Sequence, residues 1–258
     1  MSNYNTFLTT LNTVAEKNAF EVYIPSLARN VKFKPVTAKQ QKNFYSCIQD
    51  NVLFETKFII VTYNIIKENC LEPDLVNKFN VIDRICILLN FRKNILGTEI
   101  TIIKDDVPYD LNFAECIERA QATIIPVNKV INVQNIQIEL GVPSIEDQYN
   151  IEVETRSGKN LNNLTYNEAI IELITNEVCK TIRSITLLEQ EQPLKINFSE
   201  LTFEQKNTLA DKLPAEVFVE LQKFIKEINN SYDGLLRVKT EDGKELSFNI
   251  GPDFFLSE

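Results

Sequence analysis

Histidine is absent from all 258 residues, and tryptophan is absent as well. Without histidine the chain loses the commonest general base and the commonest metal ligand. Ser-His-Asp and Cys-His catalytic centres are thereby excluded, together with histidine-based zinc and non-haem iron sites. Five cysteines stand at 47, 70, 86, 116 and 179, with no CxxC pair among them. That spacing does not offer a closed four-cysteine zinc site, and an odd number without a secretory signal reads as reduced, buried thiols. Glycine is scarce, with 6 residues, and "GKNLNNLT" lacks the spacing of a phosphate-cradling loop. No apolar run approaches the ~18–20 residues of a membrane span. The longest candidate, "FIIVTYNII" at 58–66, runs straight into Lys67 and Glu68 and reads as a core helix. The opening "MSNYNTFLTTLNTV" has no basic n-region, so the expected location is the cytoplasm where the chain is made.

What is present is a core. Apolar residues make up 44% of the chain and 16 of them are phenylalanine, enough for one large domain or two small ones. The net charge of −9 repels phosphate backbones, so nucleic acid is not an expected partner.

The periodicities point to a mixed α+β fold: an N-terminal β-hairpin, a helical middle, and a C-terminal helix-plus-hairpin region. Residues 4–17 read as an amphipathic helix with Phe7, Leu8, Leu11, Val14 and Ala15 on one face. Strands at 20–24 and 31–35 follow. Pro35 ends the second strand because it has no N–H for a ladder. Thr37 then caps a helix to about residue 49, with Gln40 in the capping-box position. Further helices are expected at 53–69 and 81–94. The latter is the most apolar, with Asp83 and Arg84 at its start, Arg92 and Lys93 at its end, and Gly97 beyond. Strands are expected at 98–106, 123–127, 130–133 and 136–140, and a helix at "NFAECIERAQA". The polar block at 144–160 holds an interrupted helix, and a long helix capped by Thr165 spans 166–188. "LKINFSEL" reads as a strand, Thr202 caps a short helix, and Pro214 opens a longer one. Asp242-Gly243 between two alternating runs predicts a hairpin. The expected organisation is an N-terminal arm at 1–18, a hairpin-plus-helical domain at 19–122, and a mixed domain at 123–258. The polar stretch at 145–165 is a competing break.

Carboxylates cluster at Asp105-Asp106, Glu152-Glu154 and Glu189-Glu191, where no partner group accompanies them, so they read as solvated surface. "RNVKFK" interleaves Arg29, Lys32 and Lys34 with Phe33, the pattern of a single-strand platform but also of a hairpin's wet face, which the acidity favours. Phe254 and Phe255 are adjacent, so an extended backbone would point them to opposite sides. They are either sandwiched between layers or inserted into another chain. Candidate partner-binding residues are therefore Phe7, Leu11, Phe254 and Phe255. No residue is assigned a catalytic, cofactor-binding or metal-ligating role.

Three stretches carry a resemblance. "VYIPSLARNVKFKPVTAKQQK", "IDRICILLNFRKNILGTEI" and "DKLPAEVFVELQKFI", followed by a hairpin and "DFF", occur in that order. Together they resemble the small baseplate hub subunits and hub assembly proteins of T4-like, contractile-tailed bacteriophages. Those proteins open with a Y-x-x-P-S hairpin leading into V-x-F-x-P and T-x-K. They continue with an Asp-led helix ending LR…G, here with Phe91 for that Leu, and close on a terminal aromatic pair. The likeness covers the first hundred residues and, more loosely, the last sixty. Some relatives carry a close cysteine pair after the third helix that could hold metal, whereas this chain has only Cys116 there. The resemblance implies a structural or assembly role without catalysis or cofactor, exerted by binding other tail and baseplate proteins in a hetero-oligomer. The expected place is the host cytoplasm during assembly and the virion tail baseplate. An acidic adaptor for a host protein, bound through the N-terminal helix, and a carboxylate-based hydrolase are the alternative readings.

Overall fold

The structure is a computed structural model that describes residues 3–48, 54–124, 128–158, 175–189, 192–240 and 243–255. The fold is α+β, and the chain forms two compact units. Met1–Thr123 and Leu235–Glu258 make the first, and Ile124–Gly234 the second. The sequence reading kept residues 235–258 with the segment from 123; the chain instead returns them to the first unit.

In the first unit, helix α1 (Asn3–Lys17) leads into a hairpin of β1 (Phe20–Ile24) and β2 (Arg29–Phe33). Val22 faces Val31 and Phe20 faces Phe33 across the ladder. Alternation buries Val22, Ile24, Val31 and Phe33 and leaves Lys32 beside Glu21 on the wet face. Helix α2 (Ala38–Ile48) starts from the expected capping box. The Gln40 N–H donates to Thr37 Oγ1 at 3.3 Å, and the Thr37 N–H donates to Gln40 Oε1 at 2.9 Å. Gln40 is buried, and its amide also donates to Glu68 and exchanges bonds with Asn69 at the end of α3 (Phe54–Asn69). That places residues 69–71 against the free edge of β2, where Lys34 donates to the Asn69 carbonyl and Leu71 to that of Lys32.

Helix α4 (Val81–Leu96) is buried on nearly every face from Val81 to Arg92. A hairpin of β3 (Glu99–Lys104) and β4 (Val107–Asn112) follows, turning through Asp105 and Asp106, both at positive φ. Helix α5 (Ala114–Ala122) closes this part of the unit.

The second unit is built on one antiparallel sheet in the order β5 (Lys129–Val133), β6 (Ile136–Leu140), β7 (Ile182–Leu187), β8 (Leu194–Asn197). Helix α6 (Ile145–Gly158) and a helical segment at 175–181 (α7) precede β7. Helices α8 (Phe203–Ala210) and α9 (Ala215–Leu235) follow β8. Thr202 caps α8 in a capping box with Gln205.

The helix expected over 166–188 is corrected here: residues 182–187 are a strand. Its apolar residues repeat at helical spacing, but Ile182, Ile185 and Thr186 are β-branched. Pairing sets Ile185 opposite Ile138 and buries both, which outweighs the local pattern. Thr165 and the start of that expected helix lie outside the described residues, as do 125–127 of the strand expected at 123–127. The surface reading of Glu152 is corrected too. It is buried against Lys180, whose Nζ stands 3.0 Å from its Oε1 and 3.3 Å from Glu177. Gly141 allows a close approach: a Cβ there would lie 2.6 Å from Nε of Arg183, whose guanidinium bonds Asp147 and the Val142 carbonyl. The chain then re-enters the first unit as a hairpin of β9 (Arg237–Lys239) and β10 (Glu245–Ser247), with Gly243 at positive φ between them and Asp242 outside the described residues.

Asp83 tests the joint between hairpin and helix in the first unit. Its Oδ1 accepts from the Ser26 N–H at 2.9 Å, and its Oδ2 from the Asn80 N–H at 2.7 Å. Asp83→Ala leaves the buried Asn80 N–H and the part-buried Ser26 N–H without this acceptor and should cost about 1–3 kcal/mol in chemical denaturation. Asp83→Asn, which keeps one acceptor, should cost less.

Candidate interaction surfaces

Helix α1 contributes no described side chain to the core. Phe7 is 62% exposed, and Leu11 and Val14, one and two turns on, are exposed as well. Residues 3–15 carry no charge. A 15-residue helix of Thr and Asn with one apolar stripe has little stability of its own. Its stripe is available for a contact that this chain does not supply among the described residues.

The other two candidates, Phe254 and Phe255, are corrected: both are buried. The backbone at Asp253–Phe255 is a 3₁₀ turn rather than extended, so the adjacent rings diverge within one core, perpendicular to each other at 5.4 Å. Phe255 stacks on Phe44 of α2 with centroids 4.1 Å apart and planes 6° apart. Phe254 lies against Phe248 at 5.6 Å and Phe113 at 5.4 Å. Gln41 donates to the Phe255 carbonyl at 3.2 Å.

The hairpin stretch, the α4 stretch and the terminal "DFF" therefore meet inside the first unit, whereas "DKLPAEVFVELQKFI" lies in the second. Ser26 of the hairpin donates to Asp83 at the head of α4. Burial pushes the Asp83 carboxyl up from its ordinary range, and its N–H donors oppose that shift. At the other end of α4, Arg92 donates to the carbonyls of Gly97 at 3.0 Å and Glu99 at 2.8 Å. Its guanidinium carbon lies 5.9 Å from the centroid of the Phe254 ring. Sequence reasoning took the charges at the two ends of this helix as caps and solvated ends, the outer ones suiting the helix dipole. Asp83 is such a cap, in a box with Asn80, but it and Arg92 are both buried, and only their more distant partners reveal why.

The groups with chemical potential are already engaged or stand alone. Asp105 and Asp106 form an exposed turn, and Glu189 accepts from Asn135; Glu191 lies outside the described residues. Glu21 and Glu118 line a shallow depression of ≈ 580 Å³ with Tyr23 and Gln121, open to solvent. Glu21 already accepts from Asn30 and faces Lys32 at 3.9 Å. A smaller cleft of ≈ 200 Å³ in the second unit holds Glu139, Asp147, Arg183 and Lys206, with Asp147 paired to Arg183 at 2.8 Å. All five cysteines are buried and unbridged. Burial pushes the thiols of Cys70, Cys86, Cys116 and Cys179 up, that of Cys179 to about 11, which disfavours the nucleophilic thiolate. Among the described residues no group of three or more Cys, Asp or Glu is placed to hold a metal, and no helix is long and apolar enough to cross a membrane. Of the "RNVKFK" residues, Phe33 is buried and Arg29 is tied to Glu72 at 2.6 Å, so no stacking platform forms.

Sequence reasoning also missed Leu187, Leu188, Leu194 and Ile196, which are exposed at one corner of the second unit's sheet. Reading 182–188 as helix hid them; strand alternation in "RSITLL" was the available signal.

A core role for Phe255 has a direct consequence. Phe255→Ala removes the ring stacked on Phe44 and should lower stability by about 3–5 kcal/mol in urea or guanidinium titration. A change below about 1 kcal/mol would mean that the tail is not packed in solution.

No curated protein and no solved structure matches the chain. The sequence model of one family, described as T4 bacteriophage base plate protein, matches residues 17–255. That span takes in both units, with the hairpin, α4 and the terminal Phe pair that form the joint. The chain belongs to the T4 bacteriophage base plate protein family.

Proposed function

We propose that this baseplate protein is a structural or assembly component of the hub region of a contractile tail, and that it acts by binding neighbouring tail and baseplate proteins in a hetero-oligomer. It performs no catalysis and takes no cofactor. Its place is the virion baseplate, reached by assembly in the host cytoplasm. The observation that carries the reading is the uncharged apolar stripe of α1. Phe7, Leu11 and Val14 are exposed on a helix none of whose described side chains is buried. Exposed aromatic and aliphatic side chains at helical spacing are the anchors a helix-in-groove contact uses.

The stripe separates binding from folding. Phe7→Asp with Leu11→Asp should leave stability within about ±0.5 kcal/mol, because neither side chain supports the core. The same double variant should reduce the protein's recovery with baseplate proteins from infected cells at least tenfold. Mass spectrometry of purified virions and of assembly intermediates supplies the other half of the test. Finding the protein in either, with tail proteins, supports the reading. Finding it in neither, or only with a host protein, overturns it.

A further inference from the structure

The outer strand of the second unit's sheet has an uncovered side. Among the described residues no strand pairs with the outer edge of β8. Such an edge offers unpaired N–H and C=O groups to an incoming strand. The ladder also fixes which side chains surround it. Ile196 faces Ile185 and Leu194 faces Leu187, so these four share one face of the sheet. Ile185 and its neighbour Ile138 are buried, but Leu187, Leu194 and Ile196 are exposed, Leu194 to 55%. Leu188 extends the patch. Between Leu194 and Ile196, Lys195 points to the opposite, polar face. There it stands 3.9 Å from Glu139, with more than half of its side chain exposed.

A second copy of this chain does not fit the edge. Matching Leu194 with Ile196 of an antiparallel copy sets Lys195 against Lys195, and like charges directly opposite are destabilising. An extended segment of another protein avoids that clash. It gains main-chain bonds along the edge, apolar contacts on one face and an ion pair on the other.

We propose that β8 is a docking edge for an extended segment of another baseplate protein, in which an acidic residue facing Lys195 is flanked at alternate positions by apolar residues facing Leu194 and Ile196. The inference rests on the reading that the protein works by binding within the baseplate. It uses a surface separate from the α1 stripe.

A photo-crosslinking residue tests it, with p-benzoylphenylalanine replacing Leu194 in the full chain, produced during phage infection. Crosslinked peptides from tails and intermediates are sequenced by mass spectrometry. The expected product joins β8 to a segment of another baseplate protein with the apolar-acidic-apolar pattern. Lys195→Glu in the same chain should cut its yield at least fivefold and Lys195→Arg should not, with thermal melting showing that both remain folded. A crosslink only to another copy, a partner segment without that pattern, or a yield indifferent to Lys195→Glu overturns the proposal. So does the absence of any crosslink in particles that contain the protein. If the protein is missing from tails and intermediates altogether, the baseplate-hub reading fails and this inference fails with it.

Discussion

The first unit depends on how a nearly fully buried helix is closed at its two ends. Four N–H groups at the head of α4 and four carbonyls at its foot have no partner within the helix, and at the buried head water is no substitute. Asn80 and Asp83 satisfy the head, and Asp83 has a second oxygen to accept from Ser26. The foot turns at Gly97, and Arg92 gathers the carbonyls beyond it. Arg92 is charged and buried, so it needs compensation beyond two carbonyls. The face of Phe254 supplies part of it. From this one helix the hairpin, the β3–β4 strands and the C-terminal turn all take their positions.

Of the two readings the sequence left open for the terminal aromatic pair, packing within the chain is the one the structure takes. Phe254 and Phe255 connect the end of the chain to α2 and to the start of α5, through rings that continue from Phe44 to Phe113. The hairpin, α4 and the terminal turn, which carry much of the family likeness, are thus parts of internal construction. Apolar groups that face outward include those on α1, most of which precedes the family match, and those at the β7–β8 corner.

The local parts of the fold were legible in the sequence. Thr37 with Gln40 and Thr202 with Gln205 announce helix starts three residues apart, and Asp242-Gly243 announces a hairpin. Each of these depends only on neighbours in the chain. The parts that were not legible depend on distant ones. Gln41 and Phe255 are 214 residues apart when they bond, and no periodicity signals that return. Ile182 to Leu187 becomes a strand because β6 waits beside it, while the segment's own spacing fits a helix equally well. Glu152 is buried because Lys180 sits opposite, and Lys180 belonged to a helix whose end had been misplaced. The α1 stripe was the one part of the candidate site that sequence alone located and that the structure also exposes at Phe7 and Leu11, since helical spacing of apolar residues is a local pattern.

Native-state hydrogen exchange on the full chain tests the central claim most directly. If the C-terminal turn is part of the core around α4, the amides of 246–255 open in the same cooperative step as those of α4 as denaturant is raised. Exchange of the tail amides at rates near those of an unfolded chain, while α4 stays protected, would contradict the account.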